Sequence, residues 1–304
     1  MLKLTPFPYQ GSKRKIAGKI LSFFPEDVET LIEPFCGASA VSILAAKERK
    51  AQKIILNDLN EPLIELWEQI LSNHQELSNS YKELWYEQLD NPKEFFIVKR
   101  DEFNKTKSPH LLLYLLARIV KGAVRYNRDG EFNQSADNRR KGMKPERMKR
   151  NLEQISFLLS DITTTLSKDY KEVVTLASKK DLIYLDPPYQ GTSFTRDHRY
   201  FEGVKYDEFV TSLQLLNKNN LSYIISYDGT CGQKEYGQKL PDNLNLEHFY
   251  INAGRSTQST LLGRSDSTFE SLYLSPALIE RLKCESSQKN MPISEQIELA
   301  LNEA

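Results

Sequence analysis

The chain has 304 residues, 39% of them hydrophobic, enough for one large core or two smaller ones, and its mean hydropathy of −0.53 is that of a water-soluble protein. Lys plus Arg equals Asp plus Glu at 41 each, so net charge neither supports nor excludes a nucleic-acid partner, and local patches must decide. The most apolar run, residues 110–120, is too short to span a bilayer and contains Arg118. Residues 1–15 lack the apolar core of a signal peptide. Three widely spaced cysteines point to reduced thiols rather than a disulfide framework, and four scattered histidines with no zinc-ligand spacing predict no metal site. A cytoplasmic chain with reduced thiols is expected.

In chain order, PYQGSKRKI (8–16) sets a turn at Gln10-Gly11 before Lys13, Arg14 and Lys15, which by itself reads as the solvated basic start of a helix. TLIEPF (30–35) reads as a strand entering a turn at Cys36-Gly37, and residues 38–50 as a helix with Ala, Leu and Ile at helical spacing. KIILND (53–58) is a second buried strand ending in a carboxylate. This is the opening of a doubly wound α/β sheet. Residues 60–73 form a helix with Asn60 as its cap and Leu63, Leu66, Trp67, Ile70 and Leu71 on its apolar face.

From 72 to 151 the pattern is helical and charged, without buried strands. Strands resume at 181–185 and 221–227, and 246–252 and 269–275 pair around a Ser/Thr/Gly-rich loop. The fold class is therefore α/β, a doubly wound sheet interrupted by a mostly helical insertion. The expected divisions are a catalytic domain at 1–59 and 155–278, an insertion at 60–154 and a C-terminal helical tail at 279–304.

The turn after the first strand carries Gly37, which lets a ligand approach the backbone. Asp58 follows it by 21 residues, near the spacing of an acid that binds ribose hydroxyls. There is no Gly-x-Gly-x-x-Gly and no P-loop, so a nucleoside without a phosphate chain fits, as does an ordinary strand-turn-helix. The strand at 182–185 ends in Asp186-Pro187-Pro188-Tyr189. Two prolines remove two N–H donors and fix their carbonyls. A carboxylate beside a fixed carbonyl is a double acceptor suited to an –NH2 group, and Tyr189 supplies a flat face for an aromatic base.

RYNRDGEFNQ predicts a hairpin with a two-residue turn at Asp129-Gly130. Its arms offer Arg125, Tyr126, Asn127, Arg128 and Asn133, types that pair with base edges in the major groove. Arg139, Arg140 and Lys141 follow in a basic run suited to phosphates; residues 125–150 hold nine Lys or Arg against four Asp or Glu.

With PYQGSKRKI, EPFCGASAV, DPPY and RYNRDGEFN in that family's elements, the chain resembles the S-adenosylmethionine-dependent DNA adenine-N6 methyltransferases. The motif order resembles the alpha group, which includes the Dam-like enzymes. The resemblance runs from about Pro8 to Ser275. It implies a Rossmann-like methyltransferase sheet, S-adenosylmethionine as cofactor and double-stranded DNA as partner at the nucleoid, and it leaves open a cognate restriction endonuclease acting on the same site. It implies that Tyr9 lines the cofactor pocket, Lys13 contacts the methionine end, Phe35 and Gly37 form the floor, Asp58 binds the ribose, and Asp161 stands near the cofactor's adenine. Asp186 would contact the cofactor side and, with the Pro187 carbonyl, accept the target amine, while Tyr189 stacks on the flipped base. Ser39 departs from the family's usual second glycine.

A cytosine-C5 enzyme needs a nucleophilic cysteine, usually after proline, whereas Cys36 follows Phe35. N4-cytosine enzymes more often carry Ser, and protein methyltransferases Asn, where this chain has Asp186. An RNA adenine methyltransferase and a non-catalytic DNA-binding regulator on the same fold are the alternatives.

Overall fold

The sheet is built from short runs of leucine, isoleucine and other strand-favouring residues that carry almost no charge in their centres. A computed structural model describes residues 4–188, 204–231, 234–236, 239–255 and 267–288. Its strands are β1 (Thr30–Glu33), β2 (Lys53–Asn57), β3 (Thr163–Leu166), β4 (Leu182–Leu185), β5 (Tyr223–Cys231), β6 (Lys234–Tyr236), β7 (Glu247–Arg255) and β8 (Ser267–Leu274). They form one sheet of order β3-β2-β1-β4-β5-β8-β7, with β6 paired to β5. β3, β2, β1, β4 and β5 run parallel, and β8 and β7 close the far edge antiparallel. From β1 the chain moves outward to β2 and β3, then returns to place β4 on the other side of β1. The order therefore reverses between β1 and β4, where doubly wound sheets leave a ligand crevice beyond the strands' carboxyl ends.

The helices are α1 (Ala17–Leu21), α2 (Ala40–Lys47), α3 (Glu61–Ser72), α4 (His74–Glu87), α5 (Pro92–Thr106), α6 (Pro109–Arg118), α7 (Pro145–Leu159), α8 (Tyr170–Val173), α9 (Tyr206–Lys218) and α10 (Pro276–Gln288). The α/β sheet and the helical stretch after β2 follow the sequence reading, but three divisions differ.

First, α3 belongs to the sheet's own layer. Leu63, Leu66, Trp67 and Ile70 are buried in the same apolar cluster as β1 and β2, and the Trp67 indole donates to the Gly37 carbonyl at 2.9 Å. α7 likewise packs against α2 and α3, and the helices between them, α4 to α6 within residues 73–144, add a layer that shares this apolar core and packs on α3 and α7. Second, Asn60 makes no side-chain cap; its Oδ1 accepts from the Tyr126 hydroxyl instead. Third, residue 279 falls inside α10. Leu278, Ile279 and Leu282 are buried in the main core, and Arg281 donates to the carbonyls of Lys179 and Asp181 and to Asp27 Oδ1. This helix is bolted to the amino ends of the sheet and is not a tail. Residues 289–304 lie outside the described residues.

Candidate active site

The loops beyond β1, β2, β3 and β4 surround one cavity of about 380 Å³, a size suited to a small-molecule ligand. The turn after β1 is held by backbone. Cys36 N donates to Asn57 O at 2.8 Å and Ser39 N to Cys36 O at 2.7 Å. Gly37 and Ser39 both have left-handed φ, +47° and +46°, the geometry glycine adopts without strain. That is the physical reason a second glycine suits position 39. Asn57, fully buried, ties the loops together: its amide donates to Pro34 O and Lys168 O, both at 2.9 Å, and its Oδ1 accepts from Lys168 N.

Asp58 sits at the end of β2 with Oδ2 accepting from Gly37 N at 3.1 Å and Oδ1 from Asn60 N at 3.0 Å. Burial pushes its carboxyl up to about 6, and these two hydrogen bonds hold it down. Tyr9 lies against the Gly37 turn; a Cβ added at Gly37 would meet the Tyr9 ring at 3.1 Å. Phe35 lines the cavity and packs on Tyr170, ring centres 5.1 Å apart.

Lys13, 4% exposed, places its ammonium 3.0 Å from Asp186 Oδ1 and 3.3 Å from Glu270 Oε2. Asp186 is raised to about 6: burial pushes it up, Lys13 pulls it down, and Glu270 pushes it up again. Glu33 at the end of β1 is raised to about 8, mainly by burial, against a hydrogen bond from Ser42 Oγ at 2.6 Å. Burial thus favours its neutral acid form near pH 7. Tyr184 also lines the cavity, and its hydroxyl is buried with no hydrogen-bond partner among the described residues. A buried polar group in that condition is normally satisfied by water or a ligand. Pro187 and Pro188 also line the cavity; Tyr189 lies outside the described residues.

So Tyr9, Lys13, Phe35, Gly37, Asp58, Asp186 and Pro187 are brought together as the sequence groups them. Asp161 is not. It is exposed in the turn before β3, at the amino end of a parallel strand, whereas the cavity lies beyond the carboxyl ends. The acid after β3 that does line the cavity is Asp169, whose side chain accepts from Lys171 N at the start of α8.

The basic segment divides in two. The hairpin turn has three residues, not two: Asn127 N donates to Glu131 O at 2.8 Å and Gly130 N to Asn127 O, with Gly130 at φ +73°. The Asn127 side chain is consumed by the turn, accepting from Asp129 N and Glu131 N and donating to Glu131 Oε2. Tyr126 faces inward, 6% exposed, edge-on to Phe132, and lines the cavity rather than a DNA-facing surface. Burial pushes its hydroxyl up to about 12. These two residues are removed from the base-reading set by packing and by turn geometry. Arg128 and Asn133 are exposed and Arg125 is half-buried, so these three still face outward in part.

Arg139, Arg140 and Lys141 are exposed, on a backbone held from beneath. Buried Arg118 donates to the carbonyls of Asp137 and Arg140, Gln88 to that of Lys141 at 2.9 Å, and Tyr81 to that of Met143 at 2.6 Å. With the carbonyls turned inward to these donors, the basic side chains point to solvent.

A model of the D12 class N6 adenine-specific DNA methyltransferase family matches residues 9–257. The chain belongs to this family. It is similar to the type II methyltransferase M.FokI of Planomicrobium okeanokoites, 24% identical over 282 residues, covering 88% of this chain but 43% of that protein. It is also similar to the DNA adenine methylases of Haemophilus influenzae (30% over 205 residues, 64% of this chain and 68% of that one) and Serratia marcescens (26% over 269 residues, 84% and 93%). The chain thus spans less than half the length of M.FokI and nearly all of the Serratia enzyme.

Within this D12-class chain, two site residues carry no sequence signal of their own. Asn57 is a polar residue closing an apolar strand, and Glu270 stands on β8, outside every motif. Alternation along the hairpin was a usable signal for Tyr126, since Val124, Tyr126 and Phe132 are buried while Arg125 and Asn133 are not.

Proposed function

We propose that the chain binds S-adenosylmethionine in this cavity and methylates the N6 amine of an adenine rotated out of a short duplex DNA site. The observation that carries the reading is the Lys13–Asp186 pair, 3.0 Å apart at the switch point, with the Pro187 carbonyl next in chain. The cavity suits the cofactor in three respects. Asp58 keeps lone pairs for ribose hydroxyls, the Gly37 turn leaves no room for a side chain beneath Tyr9, and the Tyr184 hydroxyl lacks a protein partner among the described residues.

When bound, the cofactor supplies a methyl group on a positively charged sulfur, electrophilic without further activation. The protein's part is placement. Asp186 and the Pro187 carbonyl accept the amine's two hydrogens, which makes the nitrogen lone pair more available. The family resemblance assigns the stacking contact with the base to Tyr189. Holding two reactants in line supplies roughly 7–11 kcal/mol of the barrier. Extrusion of the base costs a few kcal/mol, returned by the pocket. Residues 73–144 carry the recognition surface, and the enzyme acts on nucleoid DNA in the cytoplasm. Among the described residues no helix is long and apolar enough to cross a membrane.

The test is to methylate plasmid DNA with labelled cofactor and map modified adenines by single-molecule sequencing. Failure to produce N6-methyladenine in duplex DNA, with folded protein and saturating cofactor, would overturn the reading. Challenge of the product with restriction nucleases then identifies any nuclease that shares the mapped site.

Two narrower expectations follow. Asp58→Ala weakens cofactor binding by one or two charge-assisted hydrogen bonds, roughly 1.5–3 kcal/mol each. Calorimetry reads this directly, with Asp58→Asn as the control that keeps the side chain's size; unchanged affinity in both removes Asp58 from the ribose site. The hairpin and the basic run should fail differently. Replacing Arg125 or Arg128 relaxes preference at one base pair for ~1–3 kcal/mol, whereas replacing Arg139, Arg140 or Lys141 weakens all sequences alike and flattens the salt dependence. Binding to every single-base variant of the mapped site, at several salt concentrations, separates the two. Uniform weakening by both hairpin arginines makes the hairpin a clamp.

A further inference from the structure

Glu270 reaches the cavity's charged cluster from β8, two strands away from β4 across β5. Its Oε2 is 3.3 Å from Lys13 Nζ and accepts from Ser226 Oγ at 3.3 Å, so the carboxylate is fixed from two sides. The count of charges is informative. Lys13 is one buried cation against two carboxylates, Asp186 and Glu270. Glu33 adds little charge near neutral pH, because burial raises it to about 8. Among the described residues the cluster therefore holds one net negative charge in a largely dehydrated wall. Such a charge is costly unless a cation is brought to it. Lys13 and Asp186 alone would neutralise each other and offer a ligand no net charge, only the weaker, shorter-ranged field of a dipole.

Resting on the reading that the cavity takes S-adenosylmethionine, we propose that Glu270 is a specificity-determining residue. It balances Lys13, which leaves the charge of Asp186 to favour a sulfonium ligand over the neutral thioether that remains after methyl transfer. The site then holds its substrate more tightly than its product, and the spent cofactor leaves.

Calorimetry on the full chain tests this with three probes: S-adenosylmethionine, S-adenosylhomocysteine, and sinefungin, which carries a cationic amine in place of the sulfonium. In Glu270→Gln the preference for the two cationic probes over the thioether should fall about tenfold, the order expected when one charge is removed from a partly buried site. Glu270→Thr, neutral and suited to a strand, should behave alike and serves if the glutamine variant does not fold. Glu270→Asp should keep the preference. Thermal melting checks the fold of each. A preference unmoved in the neutral variants, with all three probes still bound by wild type, overturns the role of Glu270 alone. A wild-type protein that binds none of the three overturns the cofactor reading, and this inference with it.

Discussion

Asp186→Ala is expected to abolish methyl transfer, by at least about 10²–10³-fold in kcat, while duplex DNA binding stays near wild type. On the proposed reading the side chain meets the reacting amine through an acceptor fixed in place before the reaction; its partner Lys13 lies 3.0 Å away, on the cavity wall and not among the exposed basic residues 139–141. Removal does not leave Lys13 uncompensated, because Glu270 remains 3.3 Å from the ammonium. The variant should therefore fold, and melting verifies it. Asp186→Asn preserves size but replaces one acceptor with a donor, and should be as inactive. Acidity offers an independent check. Burial first, and Glu270 after it, raise the Asp186 carboxyl to about 6 against the pull of Lys13, so the carboxylate is lost as pH falls through that value. Activity should fall with it. Asp58, also raised to about 6 by burial, titrates in the same range but acts through cofactor affinity. Its loss is read in KM for the cofactor with kcat unchanged, whereas that of Asp186 lowers kcat and moves KM for the cofactor with it. A purified Asp186→Ala protein transferring methyl groups within tenfold of wild type would sink the mechanism.

The parts of the molecule readable in advance are those where a strand is apolar along its length and ends in an unusual residue. Residues 182–185 are all buried and stop at two prolines; residues 53–58 end in Asp58; both face the crevice. β3 escaped because Thr163–Leu166 is an edge strand in which Thr163 and Thr165 are half-buried and Thr164 is exposed, and a run of three threonines shows neither an apolar stretch nor a polar–apolar alternation. That omission carried Asp161 with it. Without the direction of β3, Asp161 and Asp169 cannot be told apart, although they stand at opposite ends of the sheet. Glu270 was invisible for another reason. Its value lies in a contact with Lys13, 257 positions away in sequence, and a lone glutamate in a strand pattern implies nothing by itself. The hairpin misled through composition: asparagine and tyrosine beside arginines resemble a base-reading surface, but the turn claims Asn127 and the core claims Tyr126.

Gly122→Ala should be among the most damaging single-methyl changes in the chain, and the reason joins the added layer to the cavity proposed to hold the cofactor. Gly122 follows α6 with φ +65°, a conformation L side chains rarely adopt. A Cβ there would stand 2.7 Å from Tyr9 N, 2.8 Å from the Pro8 carbonyl carbon and 2.9 Å from Tyr9 Cα. All three are backbone atoms, so no rotamer change relieves the clash. Gln10 N donates to Gly122 O at 2.9 Å, which fixes the two segments against each other. The displaced stretch is the one that lays Tyr9 on the Gly37 turn, so the cavity wall must move with it. Backbone strain and overpacking together should cost about 2–6 kcal/mol. Gly130 is the control. Its φ of +73° imposes the same kind of strain, but a Cβ there meets nothing within 4 Å. Gly130→Ala should therefore cost only about 1–3 kcal/mol and leave cofactor affinity alone. Denaturant unfolding and cofactor calorimetry on the pair give the comparison. Equal destabilisation by the two substitutions, with cofactor binding intact in both, would show that the Gly122 backbone does not press on residues 8–10, and the added layer would then be uncoupled from the cofactor wall at this point.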